Sequence, residues 1–145
     1  MTKFEPQNPD YEAFVRAALK RQGFMGLLGA ELRAIESGRV VLGVAYREDL
    51  NQQIGFLHGG VVGTLCDNAA AAAAGTLVAA GSGILTVEYK VNFLGPAVGE
   101  RVGAVGEVVR LGRSVTVSRA EAFAIDGDKR RQVASALVTL MITPG

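Results

Sequence analysis

Apolar positions along this chain follow three different patterns. Phe14, Val15, Ala18 and Leu19 recur at helical spacing and predict a helix over Tyr11 to Gln22, with Asp10 placed to cap it and Gly23 to stop it. Before it, residues 1 to 9 carry Pro6, Asn8 and Pro9 and read as a loose arm, so 1–22 is an N-terminal arm and helix. A short apolar piece, Phe24 to Leu28, ends near Gly29. The pattern then turns to strand over Ala30 to Ile35 and Arg39 to Tyr46, joined by Glu36-Ser37-Gly38, as in a hairpin. Past Gly81-Ser82-Gly83, Val87, Tyr89, Val91 and Phe93 alternate with Glu88, Lys90 and Asn92, which predicts a half-buried strand. Three more strands are expected over Arg101 to Arg110, Ser114 to Ile125 and Gln132 to Ile142. Their connections, Leu111-Gly112-Arg113 and Asp126-Gly127-Asp128, are short enough to make the sheet antiparallel.

The third pattern is the run from Val61 to Ala80, which has no polar face of useful width. A helix apolar all round is a buried helix. Six consecutive alanines, Ala69 to Ala74, favour helix strongly and let neighbouring backbones approach closely. The expected architecture is therefore α+β, with an antiparallel sheet wrapped around one long central helix. Ala134, Ala136, Val138 and Leu140 on one face of the last strand stand against Val133, Leu137 and Met141 on the other, so the outer face of the sheet is expected to meet a second partner.

Within the run Asp67 and Asn68 are the only strongly polar residues, and a buried carboxylate costs several kcal/mol unless paired, hydrogen-bonded or neutralised. Asp67 is thus the leading candidate for chemistry. At the head of the run, Gly59 and Gly60 follow His58 and leave backbone N–H groups uncovered at a helix N-terminus, where an oxyanion would be stabilised. Asp67 follows Gly59 by eight residues, about 12 Å along a helix axis, too far for both to serve one carbonyl within one helix. If both act on one substrate they come from two copies of the chain, which predicts a homodimer with shared sites. His58 is the only histidine. It reads either as an acid/base group or as a ring that orients the loop and glycines, and orientation is the favoured reading.

Composition removes alternatives. The net charge of +1 gives no electrostatic case for nucleic acid or an anionic membrane. The single cysteine, Cys66, excludes an intrachain disulfide and a multi-cysteine metal site, and fits a reducing cytoplasm. No second histidine exists to activate Cys66, and no Gly-x-Ser-x-Gly elbow is present. The start lacks the apolar stretch of a secretory signal, and the charge-free stretch Ala69 to Val87 is too rich in Ala and Gly to read as a membrane span. At 145 residues the chain reads as a single domain, 1–145.

The order of helix, two strands, buried helix and four strands, with His58-Gly59-Gly60 opening the buried helix, resembles the hotdog fold. More narrowly, the string Asn51-Gln52-Gln53-Ile54-Gly55-Phe56-Leu57-His58-Gly59-Gly60, with Asp67-Asn68 following, is similar to acyl-CoA thioesterases of the phenylacetate-pathway and 4-hydroxybenzoyl-CoA type. The resemblance covers roughly residues 22 to 143 and implies hydrolysis of an acyl-CoA thioester. It puts the catalytic carboxylate at Asp67, as nucleophile or general base, the carbonyl-polarising amide at Gly59, and a contact to thioester or water at Gln52 or Asn51, with Gln52 the better fit. It places a water-positioning hydroxyl at Thr86 and a turn near the coenzyme A phosphates at Gly112, Arg113 and Ser114. It implies no metal and no cofactor, while the apolar outer face of the sheet predicts that the homodimer pairs into a dimer of dimers. Two other readings stay open: a non-catalytic acyl-CoA-binding or regulatory module, and a hotdog hydratase or dehydratase. The acyl group itself is left open.

Overall fold

The computed structural model describes residues 4–145, so residues 1–3 of the expected arm lie outside the described residues. Helix α1 (Tyr11–Lys20) and helix α2 (Gly23–Leu28) precede strands β1 (Glu31–Glu36) and β2 (Arg39–Ala45). A 3₁₀ turn at Glu48–Leu50 leads to the long helix α3 (Gly59–Gly75), and strands β3 (Gly83–Phe93), β4 (Arg101–Arg110), β5 (Val115–Asp126) and β6 (Lys129–Thr143) follow. The six strands form one antiparallel sheet in the order β1-β2-β4-β5-β6-β3. β1 and β3 are its edges.

α3 lies across the inner face of this sheet. Leu65, Cys66, Ala69, Ala70, Ala73 and Ala74 are fully buried against Val40, Leu42, Ala104, Ala120, Ala122, Val138 and Leu140. Alanine makes this possible because it holds the helix at little entropic cost while keeping the backbone-to-sheet distance short. Gly106 on β4 is the point of closest approach: a Cβ there would collide with the Ala69 carbonyl and the Ala70 nitrogen.

Several expectations need correction. α3 ends at Gly75, short of Ala80, because the Thr76 hydroxyl turns back to the Ala73 carbonyl at 2.7 Å and accepts the Gly38 N–H at 2.7 Å, which ties the helix end to the β1–β2 hairpin. Asp10 does not cap α1 with its side chain; the Asn8 carboxamide accepts the Asp10 N–H at 3.0 Å instead. Gly23 opens α2, and Gly29, at φ +69°, closes it in the left-handed conformation that glycine adopts freely. Residues 4 to 9 are pinned rather than loose: Phe4 packs on the core, its carbonyl accepts the Ser37 hydroxyl at 2.7 Å, and Asn8 is buried.

The largest departure is β3. It begins at Gly83, and its apolar side chains stay largely open: Leu85, Val87, Tyr89 and Phe93 are all exposed. Its pairing with β6 slips between Thr86 and Glu88, leaving Val87 as an extra residue. A bulge of this kind reverses the inward and outward parity of everything beyond it. Thr86 therefore faces α3 together with Tyr89 and Phe93, which simple alternation would have put on the opposite face.

Candidate active site

The site begins at the N-terminus of α3. The His58 imidazole Nδ1 accepts the Gly60 N–H at 2.8 Å, and its backbone carbonyl accepts the Val61 N–H at 2.9 Å and the Val62 N–H at 3.3 Å. A ring whose Nδ1 is an acceptor carries its proton on Nε2. These bonds take up the donors of the first turn except one. Among the described residues no acceptor meets the Gly59 N–H, which stands at the positive end of the helix dipole. The Phe93 ring lies over Gly59, 3.0 Å from where a Cβ would be, and roofs that end of the helix.

The loop before the helix is a tight, self-bonded turn. The Gln52 N–H donates to the Phe56 carbonyl at 2.8 Å and the Gly55 N–H to the Gln52 carbonyl at 3.1 Å. Gln52 Oε1 accepts from the amides of Ile54, at 2.5 Å, and Phe56, at 3.3 Å. With its oxygen held by two backbone donors, the half-buried Gln52 carboxamide has an NH₂ that meets no acceptor among the described residues. Asn51 is turned the other way, its Nδ2 donating to the Tyr46 hydroxyl at 2.6 Å, and that hydroxyl donates to the Gly55 carbonyl at 3.0 Å. Of the two neighbours, Gln52 is the one whose donor is free. Tyr46 and Phe93, which hold this loop and cover Gly59, carry no signal in the sequence beyond being aromatic residues at strand ends.

Two turns and more along α3 lies Asp67. Its carboxylate accepts the Thr86 hydroxyl at 2.6 Å, across from the helix to the bulged segment of β3. Burial pushes the Asp67 carboxyl above the usual range, and the Thr86 hydroxyl, which bonds the charged form, draws it part of the way back. Cys66, one residue earlier, points into the core; burial, with the Asp67 charge adding to it, pushes its thiol up to about 12, so it is held as an inert thiol. Among the described residues no group of three or more His, Cys, Asp or Glu side chains gathers as metal ligands would.

Gly112, Arg113 and Ser114 form the connection between β4 and β5, with Arg113 and Ser114 exposed. The Ser114 carbonyl accepts the Ile142 N–H at 2.8 Å, and Ile142 pairs with Ile84. The turn is thus level with the start of β3 and two strand spacings away, about 10 Å from it. The residues named from the sequence fall into three groups: His58, Gly59 and Gln52 at the head of α3, Asp67 with Thr86 farther along it, and Gly112, Arg113 and Ser114 in the β4–β5 turn. A continuous helix separates Gly59 from Asp67 by about 12 Å.

Comparison with known proteins adds the family. A family model described as Thioesterase superfamily matches residues 54–130. A 1,4-dihydroxy-2-naphthoyl-CoA hydrolase from Listeria monocytogenes is 28% identical over 95 residues, spanning 66% of this chain and 77% of that protein. A thioesterase family protein from Silicibacter pomeroyi, known as a crystal structure, is 44% identical with a TM-score of 0.91 over 93% of this chain and 99% of that one. A thioesterase from Pseudomonas aeruginosa, solved as a mutant, shares the fold at a TM-score of 0.81 and 24% identity, covering 99% of this chain and 100% of that one. The chain therefore belongs to the Thioesterase superfamily, an α+β hotdog-fold enzyme whose relatives support thioester hydrolysis as its general chemistry.

Proposed function

We propose that the chain, as one catalytic domain over residues 1–145, hydrolyses an acyl-CoA thioester to the free acid and coenzyme A, in the manner of the phenylacetate-pathway and 4-hydroxybenzoyl-CoA type. The observation that carries this reading is the split of the site along α3: a Gly59 amide with no acceptor among the described residues and, about 12 Å away on the same helix, a half-buried carboxylate held by the Thr86 hydroxyl. Two chains related by a two-fold axis bring these halves together, Gly59 of one beside Asp67 of the other, with the axis passing near Gly63, midway between them. The open β3 edge, with Leu85, Val87, Tyr89 and Phe93 exposed, supplies an apolar surface on which such a pairing closes. On the outer face, Leu85, Met141 and Val115 stand in one row across β3, β6 and β5, and this face would join two dimers.

In this reading the partner's Gly59 amide and the Gln52 NH₂ polarise the thioester carbonyl. Asp67, kept in place by Thr86, takes a proton from a water whose oxygen attacks the carbonyl carbon, or attacks that carbon itself and is released by water in a second step. In both routes the C–S bond breaks, and the sulfur leaves as the coenzyme A thiolate, which then takes up a proton. The oxyanion donor is worth roughly 3 kcal/mol and the general base another 10²–10⁴ in rate. Arg113, with Gly112 and Ser114, faces the phosphates of the coenzyme A arm, and His58 sets the glycine turn. The activity carried by the name of the Listeria relative, hydrolysis of a CoA thioester, favours coenzyme A as the thiol.

Steady-state release of free thiol from phenylacetyl-, 4-hydroxybenzoyl-, hexanoyl- and palmitoyl-CoA tests the reading, with the native chain and Asp67→Ala side by side. Turnover of at least one substrate, falling by about 10²-fold or more in the variant, is the expected result. Binding of these thioesters without turnover would make the chain a sensing module instead.

A further inference from the structure

Between α1 and α3 lies a cavity of about 560 Å³ that the catalytic reading leaves unused. Its floor is one stripe of α3, Asn68, Ala71, Ala72 and Gly75, spaced as successive turns of one helix face. Phe14 and Ala18 of α1 form its roof, and Ile84 at the start of β3 forms its side. The mouth is set by neighbours of the reacting pair: Asn68 follows Asp67 on the helix, and Ile84 precedes Thr86 by two residues on β3. At the far end Val15 rests on Gly75, its Cγ2 3.4 Å from where a Cβ would stand, and closes the space. The volume lies within the range of natural ligand pockets, roughly 300–1,000 Å³.

The geometry points to this cavity as the seat of the acyl group, and to medium-length hydrocarbon acyl chains as the substrate class. The inference rests on Asp67 being the reacting carboxylate, because that fixes where the carbonyl stands. The floor from Asn68 to Gly75 spans seven residue steps, and Asp67, one residue before it, stands about 12 Å along the helix from Gly75. An extended chain of single bonds advances about 1.2 Å per bond, as the 3.3–3.6 Å reach of a three-bond residue implies, so about ten carbons cover that distance. The small side chains of Ala71, Ala72 and Ala18 leave the room; a larger residue at any of them would shorten it. Asn68, Arg21, Gln22 and Ser82 are the polar lining residues; between them the stripe of Ala71, Ala72 and Gly75 and the facing Phe14 and Ala18 are apolar, which suits a chain without polar substituents.

The test uses S-alkyl-CoA thioethers, which bind without being cleaved, with butyl, decyl and hexadecyl arms, measured by calorimetry on the native chain and on Ala71→Phe and Ala18→Phe. These two substitutions narrow the cavity from opposite walls, both at partly buried positions. The native chain should bind the decyl ether more tightly than either of the others. In both variants the preference for decyl over butyl should fall by about tenfold or more, the scale on which a pocket distinguishes one or a few methylenes. An unchanged decyl-to-butyl ratio in both variants, or tighter native binding of the hexadecyl than of the decyl ether, overturns the inference. Hydrolysis does not enter this readout, so decyl binding as expected in a chain that cleaves no acyl-CoA would refute the catalytic reading alone.

Discussion

Asp67 stands under two opposing influences, and their balance makes its role measurable. Burial favours the neutral acid, while the Thr86 hydroxyl, donating to the carboxylate, favours the charge. If the charged form is the working one, activity rises with pH as Asp67 loses its proton. Thr86→Val keeps the β-branched shape and removes only the donor, so it should move that acidic limb of kcat/KM to higher pH; a limb that stays in place would show that Thr86 does not act on the carboxylate. Stability carries a second signature. A carboxyl whose folded pKa is raised favours folding when protonated, and that advantage is lost as pH rises through the folded value. Asp67→Asn should therefore melt at a higher temperature than the native chain at neutral pH, with the gap closing as pH falls through the raised folded value and gone below the ordinary aspartate value of about 3.9. Equal melting temperatures at pH 7 would mean that the charge is not penalised. Asp67 itself was legible in the sequence because a lone carboxylate among alanines has no structural economy. The Gly59 amide and Gln52 were named from the sequence too, but not that His58 Nδ1 takes the Gly60 N–H and leaves Gly59 the donor without an acceptor among the described residues, nor that two backbone amides hold Gln52 Oε1, since these depend on which neighbouring donors and acceptors are already taken.

At the scale of elements, the chain reads well where pattern and propensity agree. The buried helix and the hairpins β1–β2, β4–β5 and β5–β6 follow from apolar periodicity and glycine turns, and strand limits fall within a few residues of those expected. The Asp10 cap and the Gly23 stop failed locally, to Asn8 and Gly29, whereas at the end of α3 and in β3 a contact distant in sequence overrode a local signal. The Thr76 hydroxyl ended α3 early, and the bulge at Val87 changed which residues of β3 face inward. The close contact of α3 with the sheet gives an element-scale prediction. Gly106→Ala would drive a Cβ into the Ala69–Ala70 backbone, where no side chain can move aside. Urea unfolding should show a loss of about 3 kcal/mol or more. Gly26→Ala, in α2, meets nothing within 4 Å and should leave stability unchanged or raise it by less than about 1 kcal/mol. A Gly106→Ala chain as stable as the native one would contradict the packing of α3 described above.

At the scale of the whole molecule, the proposed function turns on a site divided between two chains. Nothing within one chain brings Gly59 to Asp67, and the face of α3 that carries Thr64, Asp67 and Asn68 is only partly covered. The sequence spacing alone carried this inference, because a rigid helix converts eight residues into a fixed distance. What it could not convey was the surface proposed to join the chains, since exposure of β3 follows from its place at the sheet edge. Complementation between two inactive variants tests the division most directly. Asp67→Ala removes the carboxylate, and Gly59→Pro removes the amide donor at the first helical position, where the backbone tolerates proline and the Phe93 side chain above it must give way. Each alone should lose about 10²-fold or more of its turnover. Unfolded together and refolded at equal amounts, half of the dimers are mixed and each of these keeps one intact site of two. Recovery of about a quarter of the native activity is the predicted result. A mixture no more active than the average of its two components would contradict the shared site.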